Sequence, residues 1–306
     1  MTSELTVIVV GFNHAKYFAE CLESIRTQSL SADAVLVMDD ASRDDSRSIV
    51  AEYSKAHPNF LRFFPSESNK GLTKTLNDAL SHVNTKYVTY IAADDCMLPG
   101  RIEAQVELMR VSSAQLTYCD AVVIDAESNR VHDTSRLEFP WPDEPERSVH
   151  VLASLFAANW IPAASIMMQT EELRRLGGYN DRIFFEDFEL LTRAAAAGWH
   201  FAYDERALVA VRRLDTSLGA VGFAGKSPRF ILAMEAALRN FPIEPSELSR
   251  RVLAKRWELA KRTISTELPR RTRIEMTVSA RGGAGSHRAF LYHLVRAIVA
   301  PRGRGG

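Results

Sequence analysis

At 306 residues, 46% of them hydrophobic, the chain can bury a sizeable core and hold one large domain or a domain with an appendage, and its 38 Lys+Arg balance 38 Asp+Glu. The balance is uneven: residues 250–306 hold 14 Lys/Arg against 3 Asp/Glu, which points that segment at an anionic surface or an acidic face of its own protein, and no nucleic-acid partner is expected. Cys21, Cys96 and Cys119 stand far apart, with no CxxC pair and an odd total, so neither a zinc site nor a disulfide framework is indicated, and a reducing cytoplasm fits best.

Met1 to Val10 lacks a basic n-region and a cleavage pattern, so Thr6–Val10 reads as a first strand and not as a signal peptide. After Gly11-Phe12-Asn13, the residues Tyr17, Phe18, Cys21, Leu22 and Ile25 recur at helical spacing. Ala34–Met38 is a second apolar run ending in Asp39-Asp40, and Ser42 is placed to cap a helix with Asp44 and Asp45 in its first turn. A third strand, Leu61–Phe64, leads to Asn69-Lys70-Gly71 and a helix through Leu76, Ala79 and Leu80. The fourth, Tyr87–Ile91, ends at Ala92-Ala93-Asp94-Asp95. Four near-continuous apolar strands alternating with helices predict a parallel sheet covered on both faces, with ligands at the C-terminal strand edge where helix N-termini and loop amides converge.

Leu116–Ile124 reads as a further strand-pair region containing Asp120, and Arg130–Arg147 as a polar connection. The longest apolar stretch, Val151–Met168, is broken by Ser154, Asn159, Pro162 and Ser165, which predicts a buried helix, a loop and a strand over Ser165–Gln169 instead of a membrane span. Gly177-Gly178 marks a turn, and Glu186–Ala197 a helix ended by Gly198. From about residue 222 the alternation stops, and Arg229–Asn240, Ser246–Thr263 and Ser286–Ala300 read as helices. The expected division is therefore a catalytic domain over 1–221 and a basic helical region over 222–306, with Pro301–Gly306 frayed.

Asp39-Asp40 at a strand end can hydrogen-bond a base edge or ribose hydroxyls, or can simply favour entry into the next helix. Asp94-Asp95 offers hard oxygen ligands to Mg2+ or Mn2+ with coordination positions left for phosphate; the alternative is a solvated turn. Phe184-Phe185-Glu186-Asp187 opens a helix, where acids suit the dipole, yet a carboxylate beside aromatic rings could also take a proton from a hydroxyl. The eight histidines form no HExxH pattern, which argues against a zinc hydrolase. Trp160, Trp199 and Tyr179 could stack on sugar faces, although core packing is the commoner use of such residues. The last helix places Phe290, Leu291, Leu294, Val295, Ile298 and Val299 on one face with Arg288 and Arg296 opposite; packing on its own domain or in a homodimer is the first reading of that face, and peripheral membrane contact the second.

The ordered set Val7-Ile8-Val9-Val10-Gly11-Phe12-Asn13, Val37-Met38-Asp39-Asp40-Ala41-Ser42, Asn69-Lys70-Gly71, Ala92-Ala93-Asp94-Asp95, Gly177-Gly178-Tyr179-Asn180 and Glu186-Asp187 resembles family 2 glycosyltransferases with the GT-A fold, over roughly residues 5 to 217. The resemblance implies an α/β, Rossmann-like and mostly parallel sheet flanked by helices, with a C-terminal helical extension. It also implies an inverting enzyme that moves a sugar from a UDP-, GDP- or dTDP-linked donor to the hydroxyl of a glycan, a lipid-linked or a small-molecule acceptor. Such chemistry would serve polysaccharide or glycoconjugate biosynthesis in the cytoplasm or at the inner face of its membrane. By position, the resemblance puts Asp40 at the nucleobase with Asp39 in support, and lines the nucleotide pocket with Gly11, Phe12, Asn13, Lys70 and Gly71. Asp94 and Asp95 would serve ribose and a Mn2+ or Mg2+ ion, and Asp187 would be the base, with Glu186 beside it.

Two departures stand out. Ala92 replaces an acid that relatives often carry two residues before Asp94, and Leu214 takes the place of the histidine in an Arg-x-His segment. Arg212 and Arg213 could then neutralise diphosphate charge, with metal dependence weaker than the family norm; the alternative is that both arginines merely face solvent. The competing reading is a non-catalytic nucleotide-sugar-binding or scaffold protein on a degenerate transferase fold. A nicotinamide dehydrogenase is poorly supported, since no GxGxxG follows the first strand.

Overall fold

The structure is a computed structural model and describes residues 4–144, 147, 150–215, 217 and 227–300. The chain forms two compact units, Met1–Asp181 with Gly198–Leu214, and Arg182–Ala197 with Asp215–Gly306. The division expected at residues 221 and 222 and the tail 301–306 lie outside the described residues.

In the first unit β1 (Leu5–Gly11), β2 (Ala34–Asp39), β3 (Arg62–Pro65) and β4 (Tyr87–Ala92) pair in parallel in the order β3-β2-β1-β4. β1 is buried along its whole length, which is why it reads as an unbroken apolar run. On one face Leu5, Val7 and Val9 pack with Phe18, Leu22 and Ile25 of α1 (Phe18–Arg26), Val50 of α2 (Ser46–Ala56), and Ile102 and Val106 further along the chain. Each such side chain contributes about 1.5–3 kcal/mol by leaving water. α3 (Leu72–Leu80) lies against β1 and β2 on the opposite face. There the Asn77 side chain accepts from the Tyr179 N–H (2.9 Å) and donates to the Tyr179 carbonyl (2.8 Å), and Tyr179 meets Tyr90 edge-on.

α2 begins later than the sequence suggests. Ser42 does not cap it, because the Ser42 hydroxyl accepts the Asn13 N–H (2.9 Å), while the Asp44 carboxylate accepts from the N–H groups of Ala15 and Ser46 (both 3.0 Å). These short polar side chains tie the exit of β1 to the loop after β2 instead of extending the helix.

Beyond β4 the sheet continues through β5 (Cys96–Met97), α4 (Arg101–Ser112), β6 (Leu116–Ile124), β7 (Arg130–His132), α5 (Val151–Ala157), β8 (Met167–Gln169), α6 (Thr170–Arg175) and β9 (Phe201–Arg212). β8 is antiparallel to β4 and β6, and β9 runs parallel to β6 through irregularities around Asp120 before its end pairs antiparallel with β5. Leu116–Ile124 is thus one long strand and not a pair, and the connection after it contains β7 and a 3-10 turn at Ser135–Leu137. The stretch Val151–Met168 is a helix, a loop and the start of a strand, as its polar interruptions require. β9 escapes sequence reading because exposed Glu205 and Arg206 interrupt its apolar pattern. Trp160 and Tyr179 are core residues, at 1% and 3% exposure, and Trp199 is half-buried. The three cysteines are free and buried.

The second unit is helical: α7 (Glu186–Ala196), α8 (Pro228–Leu238), α9 (Glu247–Arg262), α10 (Arg270–Ser279) and α11 (His287–Val299). Ser246 and Ser286 cap α9 and α11 by accepting the N–H groups of Ser249 and Ala289 (both 3.1 Å). α10 has no apolar stripe in the sequence, since it buries Arg273, Met276 and Thr277. The face expected on α11 is split: Phe290, His293 and Ala297 are buried, whereas Leu291, Tyr292, Val295 and Val299 are exposed. The 100° step per residue separates these two sets, and packing selects the first. Among the described residues no helix is long and apolar enough to cross a membrane.

Glu235, 3% exposed, holds α8 to α9 by pairing with Arg256 (2.9 Å), and also pairs with Arg239 (3.0 Å). Replacing Glu235 by Ala strands the buried Arg256 charge and is expected to cost about 3–5 kcal/mol in a urea titration; an unshifted midpoint would show that the pair does not hold these helices.

Candidate active site

The ends of β1, β2, β3 and β4 are kept level by backbone hydrogen bonds that run past the strands: Asp40 N–H to Gly11 C=O (2.9 Å), Ala93 N–H to Val10 C=O (2.8 Å) and Ser66 N–H to Asp39 C=O (2.8 Å). The loops that follow therefore start side by side at one sheet edge. Gly11 is required there, because a Cβ would sit 2.2 Å from Cζ of Phe18. Asn13 takes φ +59°, a left-handed conformation that asparagine tolerates, and its Oδ1 accepts the Arg43 N–H (2.8 Å). Phe12 remains 39% exposed beside it.

Asp39 and Asp40 point at different partners. Asp40 accepts the N–H groups of Lys70 (2.7 Å) and Gly71 (2.8 Å), so its carboxylate holds the loop after β3. The Asp39 side chain is fully buried; Oδ2 accepts from Arg47 Nε (2.6 Å) and the Ser42 N–H (3.1 Å), while Oδ1 accepts no hydrogen bond within the protein. The Lys70 ammonium pairs with Asp78 (2.6 Å).

Asp94 and Asp95 form the tight turn between β4 and β5. Burial raises the Asp95 carboxyl well above its usual range, and the neighbouring Asp94 adds to this, against the Arg212 N–H donated to Asp95 Oδ1 (2.8 Å). Asp94 faces the Nδ1 of His14 at 3.6 Å, and that nitrogen is buried with no hydrogen-bond partner. Among the described residues no three His, Cys, Asp or Glu side chains cluster as a metal cage. The Asp94 carboxylate fits a different kind of site, one whose ion takes most of its ligands from phosphate oxygens and water, as Mg2+ does.

Arg212 comes to this turn on the end of β9. Its guanidinium, wholly buried, donates to the Asp94 carbonyl (2.7 Å), the Asp125 carbonyl (2.9 Å), Ser128 Oγ (2.9 Å) and Glu20 (2.7 Å), and lies 4.4 Å from the Tyr17 ring centre. Read from the sequence as a diphosphate contact, this side chain is instead committed to bracing the Asp94-Asp95 turn against α1. Arg213 pairs with Glu138.

The first unit thus brings together Gly11, Phe12, Asn13, Asp39, Asp40, Lys70, Gly71, Asp94, Asp95 and Arg212. Glu186 and Asp187 belong to the second unit, on the first turn of α7, where Asp187 Oδ1 accepts the Phe188 N–H (2.7 Å) and Glu186 is buried. Phe184 and Phe185 pack edge to face beside them, and Phe185 meets Phe230. Sequence reading overlooked His14, Glu20 and Tyr17. His14 was within reach, as it directly follows Asn13; Glu20 was not, being 192 residues from the arginine it meets.

Replacing Asp40 by Ala removes two charge-assisted acceptors from the Lys70-Gly71 loop, an expected loss of about 2–4 kcal/mol. Hydrogen exchange checks this: the amides of Lys70 and Gly71 should lose protection selectively, and unaltered exchange there would remove Asp40 from its bracing role.

A family model for glycosyl transferase family 2 matches residues 6–173. The amylovoran biosynthesis glycosyltransferase AmsE of Erwinia amylovora is 27% identical over 210 residues, covering 68% of this chain and 75% of AmsE. Residues 1–349 of S. aureus TarS, solved with UDP-GlcNAc, superpose with a TM-score of 0.66 at 16% identity, covering 99% of this chain and 90% of that one. The mannosyltransferase PcManGT of Pyrobaculum calidifontis, solved with GDP-Man and Mn2+, gives 0.61 at 18% identity, covering 97% and 86%. With a mixed sheet whose parallel half ends in paired aspartates, and with the family match spanning more than half its length, the chain belongs to glycosyl transferase family 2 and has the GT-A fold.

Proposed function

We propose that the chain is an inverting glycosyltransferase that takes a nucleoside-diphospho-sugar as donor and a hydroxyl as acceptor, in cytoplasmic polysaccharide or glycoconjugate biosynthesis. The observation that carries this reading is the convergence of Gly11–Asn13, Asp39-Asp40, the Lys70-Gly71 loop and the Asp94 turn at one sheet edge of a family 2 chain. Support for a nucleoside diphosphate comes from TarS and PcManGT, which carry UDP-GlcNAc and GDP-Man.

In this reading Asp40 meets the nucleobase: each of its oxygens accepts one backbone N–H and keeps a lone pair for a base or ribose donor. Asp39 supports it from below through Arg47 and the Ser42 turn. Asp94, with His14 beside it, would hold Mn2+ or Mg2+, and Asp95 keeps the turn in shape through Arg212. Such an ion, when bound, offsets the negative charge of the departing diphosphate. Asp187 accepts the proton of the acceptor hydroxyl. The freed oxygen attacks the anomeric carbon opposite the leaving group, and the bond to the diphosphate breaks with its electron pair going to phosphate. Glu186 stands beside Asp187 in the same helical turn, where the helix dipole favours the charged carboxylate.

Asp187→Asn is expected to keep nucleotide binding in calorimetry while transfer falls by about 100- to 10,000-fold; undiminished turnover would take the base role away from Asp187. Titrations with UDP and GDP, with and without Mn2+, probe the donor site. One nucleoside diphosphate should bind, more tightly with Mn2+, and Asp94→Ala should abolish the metal's contribution. Binding of neither would favour the non-catalytic scaffold.

A further inference from the structure

α11 carries two faces of opposite character. Phe290, His293 and Ala297 pack inward. On the other side Leu291, Tyr292, Val295 and Val299 are 45–69% exposed, with Arg288 and Arg296 exposed among them. Large apolar side chains left in water as a strip, and not singly, call for an occupant.

The charge of the strip says which. Between Met276 and Ala300 the chain has Arg281, Arg288 and Arg296 and no acidic residue. Among the described residues neither Arg288 nor Arg296 has an acidic partner; Arg296 lies 5.7 Å from the Tyr292 ring centre. A groove of about 280 Å3 runs alongside, lined by Trp257, Lys261, Ala289, Tyr292, His293 and Arg296, so that two cations flank aromatic rings; Lys261 also pairs with Glu258. An apolar strip interleaved only with cations, with an aromatic residue at its border, suits the boundary between lipid headgroups and acyl chains. A second protein copy is the poorer match, since a two-fold contact between identical strips would set Arg288 and Arg296 against their own copies with no acidic residue between Met276 and Ala300 to offset them.

We propose that α11 is an in-plane docking helix for an anionic phospholipid bilayer. Leu291, Val295 and Val299 enter the acyl boundary, Tyr292 sits at headgroup level, and Arg288, Arg296 and Lys261 meet lipid phosphates. This inference rests on the second unit alone and stands apart from the donor chemistry.

The test is co-sedimentation of the full chain with vesicles of phosphatidylcholine alone and of phosphatidylcholine mixed with phosphatidylglycerol. Binding is expected to the mixed vesicles only, and to weaken with salt. Arg288→Ala together with Arg296→Ala should lower the partition constant about fivefold per arginine, and Leu291→Ser with Val295→Ser should abolish binding. All four positions are exposed, so circular dichroism and melting temperature should stay unchanged. The proposal is overturned if the mixed vesicles bind nothing, if neither variant weakens binding, or if light scattering shows a dimer that Leu291→Ser with Val295→Ser dissociates.

Discussion

The burial of the Arg212 guanidinium is the constraint from which the acidic edge of the sheet takes its shape. A cation removed from water is tolerated only when its donors find acceptors, and here they are the carbonyls of Asp94 and Asp125, the Ser128 hydroxyl and the Glu20 carboxylate. Three segments far apart in the chain are thereby locked to one planar group. The Asp94-Asp95 turn cannot drift without stranding that charge, and the backbone N–H of the same residue anchors Asp95. A rigid turn of this kind lets a carboxylate be presented in one orientation before any ligand arrives.

The same economy of partners appears at Asp39 and Asp40. Adjacent in sequence, they alternate across the end of β2 and so serve separate loops, one through Arg47 and the Ser42 turn, the other through the amides of Lys70 and Gly71. Repulsion between neighbouring carboxylates is offset by donors arriving from both sides. Gly71, at φ +85°, allows the chain to turn its amide toward Asp40, a conformation that a side chain would oppose. Acidic residues that look in the sequence like ligand contacts are in the fold also the supports of the loops around them.

The helical unit uses a comparable device in another setting. Glu235 draws Arg256 and Arg239 to one buried point, and Ser279 approaches the same oxygen at 3.4 Å, so three helices share a polar centre among apolar neighbours such as Trp257. The excess of arginine in this part of the chain is thus divided. Arg256 and Arg273 are internal and bonded, while Arg288 and Arg296 are left at the surface with their charge uncompensated among the described residues.

Half of the fold follows from local rules alone. Strands buried on both faces must be continuous apolar runs, helices between them must repeat every three to four residues, and polar turn residues must follow each strand end. Those constraints made β1 to β4, their parallel order of succession and the two aspartate pairs legible without coordinates. The other half depends on contacts between segments distant in the chain. The charged residues within β9 hid a strand whose pairing with β6 and β5 carries Arg212 to the acidic turn, and no short-range pattern links Glu20 to a residue 192 positions away. Likewise the periodicity of α11 showed six apolar residues, but only packing could bury Phe290, half-bury Leu294 and Ile298 and leave Leu291, Val295 and Val299 exposed. Local periodicity records which surface a segment prefers to bury; which neighbour it finds is settled by burial and charge pairing over the whole chain.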